Sequence, residues 1–242
     1  MKKILIVGAT SGIGEGLARL YAEKGGVRIG ITGRRAERLA ALCQAYAGVF
    51  ECEVCDVTDT DVVQDVLERT ASRLGGVDVL ILTAGAGFLN PALDDALERD
   101  TLEVNVMGWT CVADWAVRYF ERRGAGHLVA VTSAGGLRGN GAAPAYNATK
   151  AFQMNYLEGL RQRLANRCPH VAVTDVRPGF VDTAMAKGEG LFWVAPVGKA
   201  CRQIAHAIER RRRVVYVTRR WRVVAWVYRH LPLWMFLKMG HR

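Results

Sequence analysis

The 242-residue sequence predicts a single doubly wound α/β domain with a seven-stranded parallel sheet, followed by a basic, aromatic helical tail. Three observations carry that prediction. Short β-branched runs alternate with longer stretches of helical period through the first two thirds of the chain, as βαβ units do. Most of these runs are apolar on consecutive residues rather than every second one, which marks strands covered by helices on both faces. The composition, 50% hydrophobic and 23% charged with 26 Gly and 6 Pro, suits a large core and excludes a disordered, collagenous or disulfide-stapled chain.

In chain order, strands are expected at residues 4–7, 27–32, 50–54, 77–83, 127–132, 171–176 and 214–218, and helices at 13–24, 37–46, 61–74, 97–122, 145–167 and 197–211. No repeat or linker interrupts residues 1–218, so they read as one domain. Residues 219–242 change character, with Trp221, Trp226 and Trp234 set among arginines. Pro232 lacks an amide and restricts the residue before it, so it ends a first tail helix near His230 and opens a second short one.

The net charge of +10 is not spread evenly. Residues 202–242 hold 11 Lys and Arg against one acid, Glu209, and the preceding chain is balanced. A neutral body with a basic tail points to an anionic partner for the tail. The start, Met1-Lys2-Lys3, runs straight into a strand without an apolar leader, and six Cys are too few for a disulfide framework. The expectation is a reduced, cytoplasmic protein.

Directly after the first strand comes Gly8-Ala9-Thr10-Ser11-Gly12-Ile13-Gly14, leading into a helix. A glycine-rich turn there lets backbone approach a pyrophosphate, while the helix amino terminus offers free N–H donors and a favourable dipole. Thr10 and Ser11 add hydroxyls to the same loop. The second strand ends in Arg34-Arg35 with no acid, where an adenosine ribose would lie. Arginine offers a planar partner to a 2′-phosphate, whereas an acid would accept from a free 2′-hydroxyl. NADP(H) is therefore expected in preference to NAD(H).

Tyr146-Asn147-Ala148-Thr149-Lys150 places Tyr and Lys four apart on one helix face, thirteen residues after Ser133 at the end of the fifth strand. With Gly8, Gly12 and Gly14, this pattern closely resembles the short-chain dehydrogenase/reductase family of Rossmann-like oxidoreductases, across residues 1–218. The resemblance implies further positions. Thr83-Ala84-Gly85 stands where the family has Asn-Ala-Gly, so Thr83 replaces the Asn, a change that bears on one stabilising contact of the central sheet and on no catalytic role. Asn105 corresponds to the family's helical Asn, supporting a water that connects Lys150 to solvent. Asp56-Val57 corresponds to the adenine contact, and Pro178-Gly179 to the motif after the sixth strand. Val181 and Thr183 follow, Thr183 on the nicotinamide carboxamide, and Lys150 is implied to hold the nicotinamide ribose.

Carbonyl reduction needs a hydride donor, a proton donor and a group that stabilises the developing alkoxide. A tyrosine titrates ordinarily near ~10, too high for easy exchange at neutral pH. The Lys150 ammonium, with the positive charge of an oxidised nicotinamide, is expected to bring Tyr146 down. Ser133 is placed to hydrogen-bond the substrate oxygen. The expected activity is ketone–secondary alcohol interconversion on a lipophilic substrate, with 3-oxoacyl carrier-protein reduction as the runner-up and a non-catalytic dinucleotide sensor or scaffold as the alternative of another class.

No metal is expected. Cys52 and Cys55 have a metal-like spacing, but they point to opposite faces of a strand and lack a second pair. The run Arg210 to Arg213 has no accompanying nucleic-acid motif, so nucleic acid is not an expected partner. Met185, Phe192 and Trp193 fall where the family has a substrate loop, and they serve either as pocket lining or as packing. In the tail, Trp221, Val224, Ala225, Tyr228 and Leu231 share one helix side opposite Arg219, Arg222 and Arg229. Two readings stand: an interfacial anchor on the anionic inner face of the membrane, or packing on the body or a second subunit. A homo-oligomer is expected.

Overall fold

The computed structural model describes residues 1–186 and 191–239. Among the described residues, β1 (Lys2–Val7), β2 (Val27–Gly33), β3 (Phe50–Val54), β4 (Val79–Leu82), β5 (Gly126–Val131), β6 (Val171–Pro178) and β7 (Val214–Val217) form one sheet in the order β3-β2-β1-β4-β5-β6-β7. Every pairing is parallel. The helices between strands are α1 (Gly12–Lys24), α2 (Ala36–Ala45), α3 (Thr60–Leu74), α4 (Asp95–Leu102), α5 (Trp109–Arg123), α6 (Pro144–Arg167) and α7 (Val197–Glu209), and α8 (Trp221–His230) and α9 (Leu233–Met239) follow β7.

The consecutive apolar runs have a direct explanation in the two faces of the sheet. In β1, Leu5 and Val7 face α3, α5 and α6, while Ile4 and Ile6 face α1 and α7; all four are buried. The chain leaves β1 toward β2 on one side and resumes at β4 on the other. That reversal opens a crevice at the carboxyl ends of the strands. Thr83 closes the seam beneath it, its hydroxyl donating to the carbonyls of Val7 (2.8 Å) and Gly8 (3.1 Å). Thr83 thus ties the end of β4 to the end of β1.

Two features depart from the sequence expectation. The helix expected at 97–122 is broken into α4, a π-helical turn over Glu103–Gly108, and α5. Gly108 brings that turn close to the loop after β3, where a Cβ would lie 2.3 Å from the Val57 carbonyl oxygen. Cys43 on α2 and Cys52 on β3 are paired as a disulfide, with Cα atoms 7.1 Å apart, where reduced thiols were expected. The pairing arises because α2 packs on the edge strand β3, a contact between sequence neighbours that motif spacing did not reveal. Cys55 is buried and free.

For the tail, the sequence leaves two readings open. The side bearing Trp221, Val224, Ala225, Tyr228 and Leu231 turns inward onto the body, with Trp221 and Ala225 buried. The outward surface carries Val223, Trp226 and Val227 on α8 and Leu233, Trp234, Met235 and Leu237 on α9. Tail residues 240–242, and residues 187–190 of the loop before α7, lie outside the described residues. No described helix is long and apolar enough to cross a membrane.

Candidate active site

A cavity of about 1300 Å³ runs along the carboxyl ends of the strands. It is lined by every residue that the sequence nominates for the nucleotide, from Gly8 through Thr183, together with Ser133, Tyr146 and Lys150. Asn105 does not line it. It stands fully buried behind.

At one end the backbone is unusually close to itself. Gly8 has φ +94°, and a Cβ on it would meet the Ala84 amide nitrogen at 2.5 Å; on Gly14, one would meet the Gly8 carbonyl oxygen at 2.2 Å. Only hydrogen fits at these positions, so the turn can lie flat beneath a ligand. Beside it, Arg35 donates to Thr10 Oγ1 from Nε (3.1 Å) and Nη2 (2.9 Å), and to Ser11 Oγ from Nη2 (2.7 Å). Arg38 donates to the Thr10 carbonyl at 3.3 Å. Burial lowers the Arg35 guanidinium, and the charges of Arg38 and Arg34 lower it further. Among the described residues, none of the three has a carboxylate partner. Such a cluster is complementary to an anion. Asp56 accepts from the Thr58 amide at 3.0 Å and its hydroxyl at 2.9 Å, which fixes the loop leaving β3. The glycine cradle and the unpaired guanidinium groups fit a nicotinamide dinucleotide.

In the middle of the cleft, Ser133 caps a 3-10 turn over Ala134–Leu137, its hydroxyl accepting from the Gly135 amide at 3.0 Å. Asn147 donates to the carbonyls of Gly135 (2.7 Å) and Arg138 (2.9 Å), fastening this turn to α6. Pro144 opens α6, whose first two turns present Tyr146 and Lys150 to the cleft. The Lys150 ammonium lies 5.7 Å from the Tyr146 ring centroid. Burial pushes the Tyr146 phenol up, opposed by a hydrogen bond with Ser133. Burial likewise lowers Lys150 to about 8, with the Asp175 carboxylate pulling the other way.

Asn105 sits in the π-helical turn. Its side chain accepts from the Ala86 amide (2.9 Å) and donates to the Ala86 carbonyl (2.7 Å) and Thr149 Oγ1 (3.0 Å). Its own carbonyl is taken by the Gln153 amide at 2.9 Å. The Gln153 side chain thereby joins the Asn105 carbonyl to the Lys150 ammonium. An insertion of this kind in a helix commonly accompanies a functional position.

The far end of the cleft is aromatic. Trp221 stacks on Phe192 at 5.1 Å between centroids and meets Phe180 edge to face at 5.3 Å. It lies flat on Gly179, where a Cβ would clash at 1.9 Å. Arg138 bolts the tail to the Ser133 turn: it donates to the Tyr228 carbonyl at 2.8 Å and to the Leu231 carbonyl, and its guanidinium lies 5.0 Å from the Phe236 ring centroid. Phe192 thus lines the cavity. Trp193, left open with it, instead lies half exposed under Arg220.

Sequence reasoning did not find Arg38, Gln153 or Arg138. Arg38 lies one helical turn past Arg35, and Gln153 one turn past Lys150, so an i, i+3 count along each helix would have nominated both. Arg138 meets the tail ninety or more residues later, and no local pattern reports that.

The sequence profile of the short chain dehydrogenase family matches residues 2–191. A Myxococcus xanthus protein named an uncharacterized oxidoreductase is 36% identical over 186 residues, spanning 75% of this chain and 72% of the relative. A Mycobacterium tuberculosis protein named in the same way is 33% identical over 218 residues, spanning 86% and 85%. A point variant of actinorhodin polyketide ketoreductase solved with NADPH superposes with a TM-score of 0.78 at 25% identity, over 89% of this chain and 95% of that one. A 3-ketoacyl-(acyl-carrier-protein) reductase from Brucella melitensis complexed with NADH shares the fold, with a TM-score of 0.78 at 20% identity over 89% and 96%.

Proposed function

The chain belongs to the short-chain dehydrogenase family, and from that premise we propose that this NAD(P)-dependent oxidoreductase uses NADP(H) to interconvert a ketone and a secondary alcohol on a lipophilic substrate. One observation carries the reading: Ser133, Tyr146 and Lys150 share a cavity whose outer wall is Phe180, Phe192, Trp221 and Phe236. When bound, the nicotinamide supplies or accepts the hydride. Tyr146 gives the proton to the nascent alkoxide, Ser133 donates to the same oxygen, and the Lys150 ammonium stabilises the phenolate that remains. Asn105 holds the frame behind Lys150. The glycine turn receives the pyrophosphate, Arg34 and Arg35 the 2′-phosphate, Asp56 and Val57 the adenine, and Thr183 the carboxamide, with Ala84, Gly85, Pro178, Gly179 and Val181 walling the ring.

Oxidation of NADPH is followed against free ketones of rising apolar size and against a 3-oxoacyl thioester on its carrier protein. Turnover that rises with apolar size, and falls by a factor on the order of a thousand in Tyr146→Phe with NADPH binding retained, is the expected result. Full activity in Tyr146→Phe overturns the mechanism. Preference for the carrier thioester shifts the reading to a carrier-protein reductase, and tight NADPH binding without turnover of any substrate favours a sensor.

The proposed division of labour gives residues 1–218 the reaction and residues 219–242 the substrate wall and a surface. That surface exposes Val223 (63%), Trp226 (64%), Leu233 (62%) and Trp234 (62%) between Arg222, Arg229 and Lys238. Aromatic side chains among cations suit the headgroup region of an anionic bilayer. This reading makes it a cytoplasmic enzyme held peripherally on the inner face of the membrane. Co-sedimentation with phosphatidylglycerol vesicles, weakened by salt and by Trp226→Ser with Trp234→Ser, is expected. Indifference to these vesicles at low salt removes the membrane reading. Mass measurements on the same samples read the expected homo-oligomer, and loss of assembly in the double variant would assign the outer face to a second copy.

A further inference from the structure

Gln153 has a fully buried side chain with both polar ends committed. Its Oε1 accepts from Lys150 Nζ at 3.0 Å, and its Nε2 donates to the Asn105 carbonyl at 2.9 Å. The amide orientation is dictated by chemistry, since an ammonium only donates and a carbonyl only accepts. Asn105 is held in turn by Ala86 and Thr149, so the loop after β4, the π-helical turn and α6 form one hydrogen-bonded frame.

We propose that Gln153 is a positioning residue for the proton-transfer pair, fixing the rotation of the Lys150 ammonium and holding it charged toward Tyr146. An ammonium has three donors. Gln153 Oε1 at 3.0 Å and the Val131 carbonyl at 3.5 Å take two from the protein side, and the third is left for the cleft. The amide oxygen also supports a charge that burial opposes. The charged or titratable groups around Lys150 are few. Tyr146 faces it from α6, and Asp175 acts from β6, already bound to Thr132 Oγ1 at 2.6 Å and to the Arg177 guanidinium at 2.6 Å. Ser133, after β5, meets Tyr146. Asp175 is thus shared with Arg177, and Gln153 contributes the close side-chain acceptor.

The inference rests on Tyr146 and Lys150 being the working pair, and its test needs no substrate. The ultraviolet titration of phenolate in the NADP⁺ complex, taken as the difference between the unaltered chain and Tyr146→Phe, isolates Tyr146. In Gln153→Met, which conserves volume and removes both polar ends, the Tyr146 midpoint should rise by about one unit, a tenfold change in proton affinity. A fold-compromising loss alone would lower the melting temperature without moving that midpoint. An unchanged midpoint in folded Gln153→Met overturns the proposal. Nitrogen-15 lysine spectra, assigned with Lys150→Arg, give a second reading: a Lys150 midpoint lowered in Gln153→Asn, which keeps the amide but withdraws it from Nζ, supports it, and an unchanged midpoint overturns it, even where Gln153→Met does not fold. Full turnover in Tyr146→Phe would instead sink the mechanism and leave this measurement standing as a statement about the pair.

Discussion

The two ends of the cleft are built on opposite plans. The phosphate end is backbone: a glycine turn within a few residues of β1, an α1 amino terminus, and arginines from the next strand end. The carbonyl end is side chain: aromatic rings delivered by β6's exit, the loop before α7, and two helices after β7. A backbone site tolerates few residue types and announces itself as a motif. A site made of packed rings can be rebuilt with many residues and carries no motif at all.

The harshest way to break this contrast is Gly14→Val. With its Cβ 2.2 Å from the Gly8 carbonyl, the turn cannot stay flat, and NADP(H) affinity should fall more than about a hundredfold, a loss of over ~2.7 kcal/mol by calorimetry. Retained affinity would show that the cradle does not set binding. Next in size is truncation after Thr218, which strips Trp221 and Phe236 from the far wall. KM for apolar ketones should rise by about ten- to a hundredfold while the NADPH Kd moves less than about threefold. A matched loss at both ends would dissolve the distinction between them. Arg35→Gln then sharpens the phosphate end: one charge-assisted contact contributes roughly 1.5–3 kcal/mol, so NADPH should weaken by about ten- to a hundredfold and NADH hardly at all. Equal weakening would remove the 2′-phosphate assignment.

The smallest effect lies away from both ends. His127, buried on β5 with Nε2 2.7 Å from Thr174 Oγ1, is lowered to about 3, chiefly by burial. Its ordinary value is near ~6.5, so between the two values the unfolded chain binds a proton that the folded chain refuses. Stability is full above pH ~6.5 and is lost as pH falls toward 3, at about 1.4 kcal/mol per unit. Urea midpoints of His127→Gln against pH should show a shallower acid limb over that window; an identical limb would mean that His127 is already protonated in the folded chain.

The same contrast explains what could be read from the chain. The inner strands were visible because buried parallel strands are apolar on both faces, and Ile4 to Val7 cannot be mistaken for an alternating surface strand; the edge strand β3, Phe50 to Val54, is only partly covered and alternates with Glu51 and Glu53. Tyr146 and Lys150 were visible because i, i+4 is a helix face. The π-helical turn at Asn105 was not, because one extra residue per turn leaves the periodicity of 97–122 nearly intact. The tail's amphipathic side was recognised, but its direction was not: the stripe headed by Trp221 covers Gly179 and the cleft, and a hydrophobic stripe looks the same whether it meets lipid or its own domain. Cys43 with Cys52 was hidden for a related reason, since a helix packed on an edge strand pairs residues by geometry rather than spacing.

The position of Trp221 against Gly179 also has a consequence for synthesis. Chains emerge amino terminus first, so β1 and its glycine turn leave the ribosome about two hundred residues before the ring that walls off the carbonyl end. A nascent chain stalled at β7 already carries Phe180 and Phe192 but neither Trp221 nor Phe236, so the cleft is laid down with its glycine turn complete and its far wall half built.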